Sequence, residues 1–252
     1  MTRPFRTTGA CCGAILLATA WVAPAAAQSA PSISFEAETD HRERGLGWSD
    51  GKAALGIGAT VPVTYDLALD MDAVTLRESA RHGGADIGVG IAPRYSMQAA
   101  GWEFDVGVRG NLFIGRSGTS YVEVTGQVSR TLGLAQLSVG AAFAPSQDAI
   151  GGSNLYVDAR LSAGIPGTPL TLYGGVGHTS GSTKDGDPRS ARLRPGGDYL
   201  DHHLGAEYAE SSFAAGVRYS GTSIGASEVD RSSPWTDRHY GSRLVAYFRF
   251  TP

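Results

Sequence analysis

The sequence predicts an all-β chain, folded as an antiparallel transmembrane barrel of about twelve strands. Three observations carry this: a strict two-residue alternation, strand charges confined to one side of it, and connections that alternate short and long. The clearest strand is Trp102 to Ile114, WEFDVGVRGNLFI. Trp102, Phe104, Val106, Val108, Leu112 and Ile114 form an oily series, interleaved with Glu103, Asp105, Gly107, Arg109 and Asn111. Successive side chains of a strand point to opposite faces, so this pattern makes one oily and one charged face. A soluble sandwich could hide the oily face in a core; a barrel would turn it to lipid.

The strands follow in order. Ile33, Phe35 and Ala37 oppose Ser34, Glu36 and Glu38, and Leu55, Ile57, Ala59 and Val61 make the second oily row. Tyr65, Leu67, Leu69 and Met71 oppose Asp66, Ala68, Asp70 and Asp72; Ile87, Val89 and Ile91 lead the fourth strand, with Arg94 on its other face. After Trp102–Ile114 come Val122, Val124 and Val128 opposite Tyr121, Glu123, Thr125 and Gln127, and then Leu137, Val139 and Phe143. Leu155, Val157 and Leu161 oppose Tyr156, Asp158 and Arg160, and Leu170, Leu172 and Val176 follow. Leu204 and Tyr208 oppose Asp201, His203 and Glu207, and Phe213, Val217 and Tyr219 oppose Arg218. Leu244, Ala246, Phe248 and Phe250 close the series opposite Arg243, Val245, Tyr247 and Arg249. Most runs approach the ~9–11 residues a tilted membrane strand needs.

Short turns fall near 62–63, 96–101, 131–133, 166–169 and 209–212. Longer polar loops fall at 41–52, 74–84, 145–152, 178–198 and 222–239, with a brief one at 115–118. That rhythm is the outer-membrane pattern, with short turns toward the periplasm and long loops outside. Trp102, Tyr65, Tyr95, Tyr208, Tyr240, Phe248 and Phe250 sit near strand ends, where an aromatic girdle belongs.

Ahead of the strands, residues 1–27 read as a secretory leader. Arg3 and Arg6 precede the apolar run GAILLATAWVA, and Ala25–Ala27 offer a cleavage site. The run is too short for a membrane helix. Cys11 and Cys12 lie inside it, so residues 28–252 form a cysteine-free barrel domain, in keeping with a Gram-negative envelope rather than a disulfide scaffold. A formal charge of −3 argues against nucleic acid as a partner.

The stretch Thr39-Asp40-His41-Arg42-Glu43-Arg44-Gly45-Leu46, with Trp48-Ser49-Asp50-Gly51-Lys52-Ala53-Ala54-Leu55 after it, resembles the opening of TorF-type porins. The likeness covers about 20 residues, while the architecture covers the whole exported chain. It implies a small outer-membrane barrel with a channel role, and brings no catalytic residues. Outer-membrane lipid and lipopolysaccharide, the barrel-assembly machinery and small hydrophilic solutes are the partners it implies. One departure is that Thr251 and Pro252 follow Phe250, where assembly signals commonly end on an aromatic residue.

Function is expected in the inward charges: Glu36, Glu38, Asp40, Asp66, Asp70, Glu103, Asp105, Glu123, Asp158 and Glu207, with Arg94, Arg109, Arg160, Arg218, Arg243 and Arg249. Closure would set Arg243 and Arg249 beside the Glu36, Glu38 and Asp40 row. Such walls either line an aqueous pore, with a mild cation preference, or pair across the lumen and fill it. The other readings are an enzyme at the loop mouth and a structural or adhesion barrel. His178-Thr179-Ser180 and Asp201-His202-His203 could form a triad on paper, but solvated loop histidines (His41, His82 and His239 among them) are the expectation. Asp185-Gly186-Asp187 lacks the remaining ligands of a calcium loop, and Gly88-Val89-Gly90 lies within a strand rather than at a nucleotide-binding turn. No metal or cofactor is expected. Loop 178–198 is the candidate to fold into the lumen or to bind a surface ligand.

Overall fold

Trp102–Ile114 is one continuous strand, and its neighbours repeat it around a closed wall. The structure is a computed structural model that describes residues 30–184, 186–236 and 238–252. The expected leader at 1–27 and Asp185 of the Asp-Gly-Asp stretch lie outside the described residues. In chain order the strands are β1 (Ser32–Glu38), β2 (Arg42–Glu43), β3 (Leu46–Gly47), β4 (Ala54–Pro62), β5 (Leu67–Ser79), β6 (Ala85–Ala99) and β7 (Trp102–Ile114). They continue as β8 (Tyr121–Leu132), β9 (Ala135–Gln147), β10 (Gly152–Gly164), β11 (Leu170–Ser180), β12 (Tyr199–Glu210), β13 (Phe213–Thr222) and β14 (Arg243–Phe250). All but β2 and β3 join one antiparallel barrel of 12 strands, closed by β14 against β1 with Phe35 opposite Phe250 and Glu36 opposite Arg249. Three 3₁₀ turns (Ala80–His82, Asp148–Ile150, Pro188–Arg192) sit between strands, and the described residues contain no α-helix.

The alternation decides which way each residue faces. Val106 is 58% exposed and Leu204 67%, whereas Asn111 and Val245, one face over, are 3% and 0%. An exterior dominated by Ile, Leu, Val, Phe and Tyr, with the barrel strands paired into a closed ring, is what hydrocarbon demands of a spanning sheet. Tight turns join strands at one end, which we call the turn end. Ala100 and Gly101 between β6 and β7 have φ of 52° and 77°, the positive pair that a two-residue hairpin turn needs.

Several expected boundaries move. The loop placed at 74–84 is strand as far as Ser79, and that placed at 145–152 is strand as far as Gln147. Here the inner face is apolar too: Val74, Leu76, Ala142 and Ala144 are buried, so alternation no longer marks a strand. Arg77 and Glu78, at φ 56° and 60°, form an irregularity that bends the end of β5. Tyr65 and Asp66 belong to the β4–β5 turn rather than to a strand, and Tyr65 is 87% exposed there. Asp66 therefore does not stand on the lumen wall; its carbonyl accepts from Ser96 N at 2.7 Å. Tyr240 leaves the expected girdle to pack on a loop cluster.

Candidate functional site: the lumen and its inserted hairpin

Opposite charges meet along the inner wall, in register at Glu36 and Arg249 and off register or between more distant strands elsewhere. Arg249 reaches Glu207 at 2.7 Å and Glu36 at 3.7 Å, Arg218 reaches Glu38 at 3.3 Å, and Arg243 reaches Asp40 at 3.7 Å. Along the contiguous strands β5–β7, Arg94 bridges Asp70 at 2.8 Å and Asp105 at 3.0 Å, while Arg109 meets Asp72 at 2.8 Å. Arg160 pairs with Asp158 at 2.7 Å, and Ser129 Oγ approaches Glu103 at 3.5 Å. Partly solvated pairs of this kind contribute about 0–1 kcal/mol each, so they shape the lumen more than they stabilise it. Gly90 makes one of them possible, because a Cβ there would lie 2.3 Å from Arg109 Nη2.

The loop whose tip borders the polar chamber is 39–53, while the expected loop 178–198 also helps to fill the lumen, with Leu193 in the buried cluster at the loop end. The β2–β3 hairpin of 39–53 turns at Arg44 and Gly45, whose φ of 51° and 74° match a two-residue turn of the primed type. Arg42, buried, donates to Asp40 at 3.2 Å and to the carbonyls of Gly45 and Gly241, the latter at 2.7 Å. Ser49 Oγ donates to Lys52 O at 2.6 Å, and Gly47 N donates to His239 O at 2.9 Å. His41 contacts the Glu38 carboxylate and lies 3.8 Å from Glu43. Burial disfavours its charge, but the hydrogen bond to Glu38 and the negative charge of both carboxylates outweigh burial and push its pKa up to about 10. At Glu43 burial raises the pKa, but His41, Arg109 and Arg44 together bring it down to about 2. His41 is thus an ion-paired residue of the plug, contrary to the expected solvated histidine.

Arg44, at the tip, faces a wall of three strands. Its Nη1 and Nη2 donate to Glu123 Oε1 and Oε2 at 2.9 and 2.8 Å, its guanidinium lies 4.7 Å from the Tyr156 ring centre, and Tyr199 Oη donates to its carbonyl at 3.0 Å. On the turn side of the hairpin lies a polar chamber of about 810 Å³, bounded by Arg44, Arg94, Glu103, Asp158, Arg160 and Arg218 among others.

On the loop side the lumen is packed. Trp48, Phe113, Tyr121, Ile150 and Leu193 form one buried apolar cluster, and Leu46, Tyr199, Ile224 and Val229 another. Loop 181–198 lies across this end, and Arg192, 1% exposed, donates to the carbonyls of Thr119, at 2.8 Å, and Ala149. His82 is also buried, 4.5 Å from Trp48 and stacked 4.5 Å from Phe113. Burial, with Arg81 and Arg192 beside it, holds its pKa well below the ordinary value, so it too departs from the solvated expectation.

The paper triad does not assemble. His178 and His202 point outward while Thr179, Asp201 and His203 point inward, on opposite faces of the wall. Among the described residues no group of three or more His, Cys, Asp or Glu is placed to hold a metal ion. Sequence reasoning missed Arg44, Glu43 and Asp72. The signal for the first was Arg44-Gly45 between short paired segments, a turn dipeptide inside a loop.

The model of a family described as "Bacterial protein of unknown function (Gcw_chp)" matches residues 25–240. Among curated proteins, none matches the sequence. Similar solved structures include a KdgM porin, at 7% identity and a TM-score of 0.55 over 87% of this chain and 98% of that one. A KdgM porin in complex with disordered oligogalacturonate and the NanC porin each reach a TM-score of 0.54 at 9% identity, over 87% of this chain and 98% and 97% of theirs. At such identities the likeness is one of fold.

Proposed function

The chain belongs to the Gcw_chp family of bacterial proteins of unknown function, and for this member we propose an outer-membrane channel that passes small hydrophilic solutes. The observation that carries the reading is the pairing of an apolar exterior with a charged lumen holding a chamber of about 810 Å³. The porin fold and the resemblance of residues 39–55 to TorF-type porins support it. A leader at residues 1–27 would export the chain, with the turn end in the periplasm and the loops outside. Inward carboxylates predominate on β5–β8, so a mild cation preference follows. The packed loop end makes this a closed state, with the 42–47 hairpin as the movable part.

A permanently plugged structural barrel is the second reading, favoured by the same packed loop end. Bilayer recordings of the refolded chain under a KCl gradient separate them. Discrete steps with a cation-selective reversal potential are expected. Anion selectivity would remove the charge argument, and silence from a heat-modifiable, folded barrel would leave the plugged one.

A further inference from the structure

We propose that the wall around Arg44 is a recognition site for organic cations carrying a guanidinium group, and that Arg44 is its built-in occupant. The inference names the solute class of the channel and rests on that reading for its transport meaning.

The cradle is built as a guanidinium receptor. Glu123, 1% exposed, presents both carboxylate oxygens to the two terminal nitrogens of the fork. Asn111 Nδ2 steadies Glu123 from 3.4 Å. A planar fork meets a carboxylate through two parallel bonds, which a compact ammonium cannot do. Tyr156 adds its ring face at 4.7 Å, the second element of cation recognition.

The cradle also holds more negative charge than Arg44 satisfies. Asp201 is 3% exposed and borders the chamber. Its Oδ1 accepts from Tyr156 Oη at 3.3 Å, while its buried Oδ2 has no hydrogen-bond partner among the described residues. Gly177 keeps this corner open: a Cβ there would lie 2.3 Å from Tyr156 Oη and 2.6 Å from Asp201 Oδ2. A buried carboxylate oxygen without a donor favours a ligand that brings one. A solute with an ammonium group beside its guanidinium supplies both.

Arg44 is suited to leave. It sits on a turn of positive φ, a conformation that a residue with a side chain adopts under strain. The strands behind it are two residues each, laddered to one another, with Gly47 N also donating to His239 O. The adjoining chamber of about 810 Å³ has room for the displaced side chain and the incoming solute. A solute arriving from the chamber would replace the bidentate contact of Arg44 with Glu123.

The test is calorimetric titration of the refolded full-length barrel in detergent micelles with L-argininamide, and with L-citrullinamide, which keeps the α-amine but carries an uncharged ureido side chain. An occupied site lowers apparent affinity by the fraction of time it is vacant. Arg44→Ala should therefore bind argininamide about tenfold tighter or more than the parent. Adding Glu123→Gln should abolish the gain, and citrullinamide should bind neither protein. Equal affinity of parent and R44A, or equal binding of citrullinamide, would overturn the proposal. If R44A does not refold, Arg44→Gln keeps a donor to Glu123 without the charge and is read by the same criterion. Micelle binding requires no conduction. Argininamide bound by a barrel silent in bilayers keeps the site and removes the channel; conductance without binding does the reverse.

Discussion

Arg81 and Arg192, 111 residues apart in sequence, clasp each other through backbone: Arg81 Nε donates to Arg192 O at 2.9 Å, and Arg192 Nε donates to Arg81 O at 2.6 Å. Arg81 Nη1 also reaches Gly47 O at 3.1 Å. Two like charges share a small volume because each is surrounded by carbonyl oxygens rather than by the other's side chain. This clasp joins the β5–β6 loop, loop 181–198 and the hairpin into one lid.

Arg192→Ala strips donors from the carbonyls of Thr119, Ala149 and Arg81. An unpaired buried acceptor costs about 1–3 kcal/mol, so the lid should lose about 3 kcal/mol. Amide exchange across 80–84 and 148–151 should accelerate while the wall strands keep their protection. Unchanged lid protection would show that the clasp is incidental.

His82 makes the lid acid-sensitive. The rings of Trp48 and Phe113 and the guanidiniums of Arg81 and Arg192 surround it, and its pKa in the closed lid is depressed. The stabilisation it gives by staying neutral is present above its ordinary value near 6.5 and is lost as pH falls below that. The protection of lid amides, taken relative to intrinsic exchange at each pH, should thus fall below about pH 6, and His82→Phe, which keeps the stack without a titrating group, should remove that dependence. A parent lid indifferent to acid would refute the account.

His41 has the opposite sign. Its pKa rises from 6.5 to about 10 in the docked hairpin, so its stabilisation is complete below the lower value and gone above the upper. Conductance should increase between pH 8 and about pH 10 in the parent and be flat in His41→Gln. A rise of the same size in the variant would assign it to other groups.

Val108 stands on the outer face in the middle of β7 and is 44% exposed. In a bilayer Val108→Arg should cost about 2–4 kcal/mol in urea unfolding. Gln127→Arg, which enters the chamber, should stay within about 0.5 kcal/mol while moving the reversal potential toward anions. A harmless V108R would contradict a lipid-facing wall.

The wall was legible where one face is wet and the other oily. Trp102–Ile114 is β7 to the residue, and Glu36 beside Arg249 follows from closing the last strand on the first. Legibility fails toward the loop end, where Val74, Leu76, Ala142 and Ala144 face a dry cluster and both series turn apolar. It fails again at 42–47, since strands of two residues show no period. Arg44 on Glu123 and Arg81 on Arg192 are pairings between distant segments, and no local pattern encodes them.

The plug and the seam share their last component. Arg42 Nη2 bonds to Gly241 O across 199 residues, and Gly47 N bonds to His239 O, just upstream of the strand that closes the barrel. Contacts of such sequence separation form late in folding. The hairpin is therefore made early in the chain but has no dock until the final strand arrives. Sealing the wall and filling its bore become a single terminal event, so an unfinished cylinder lacks its stopper as well as its seam.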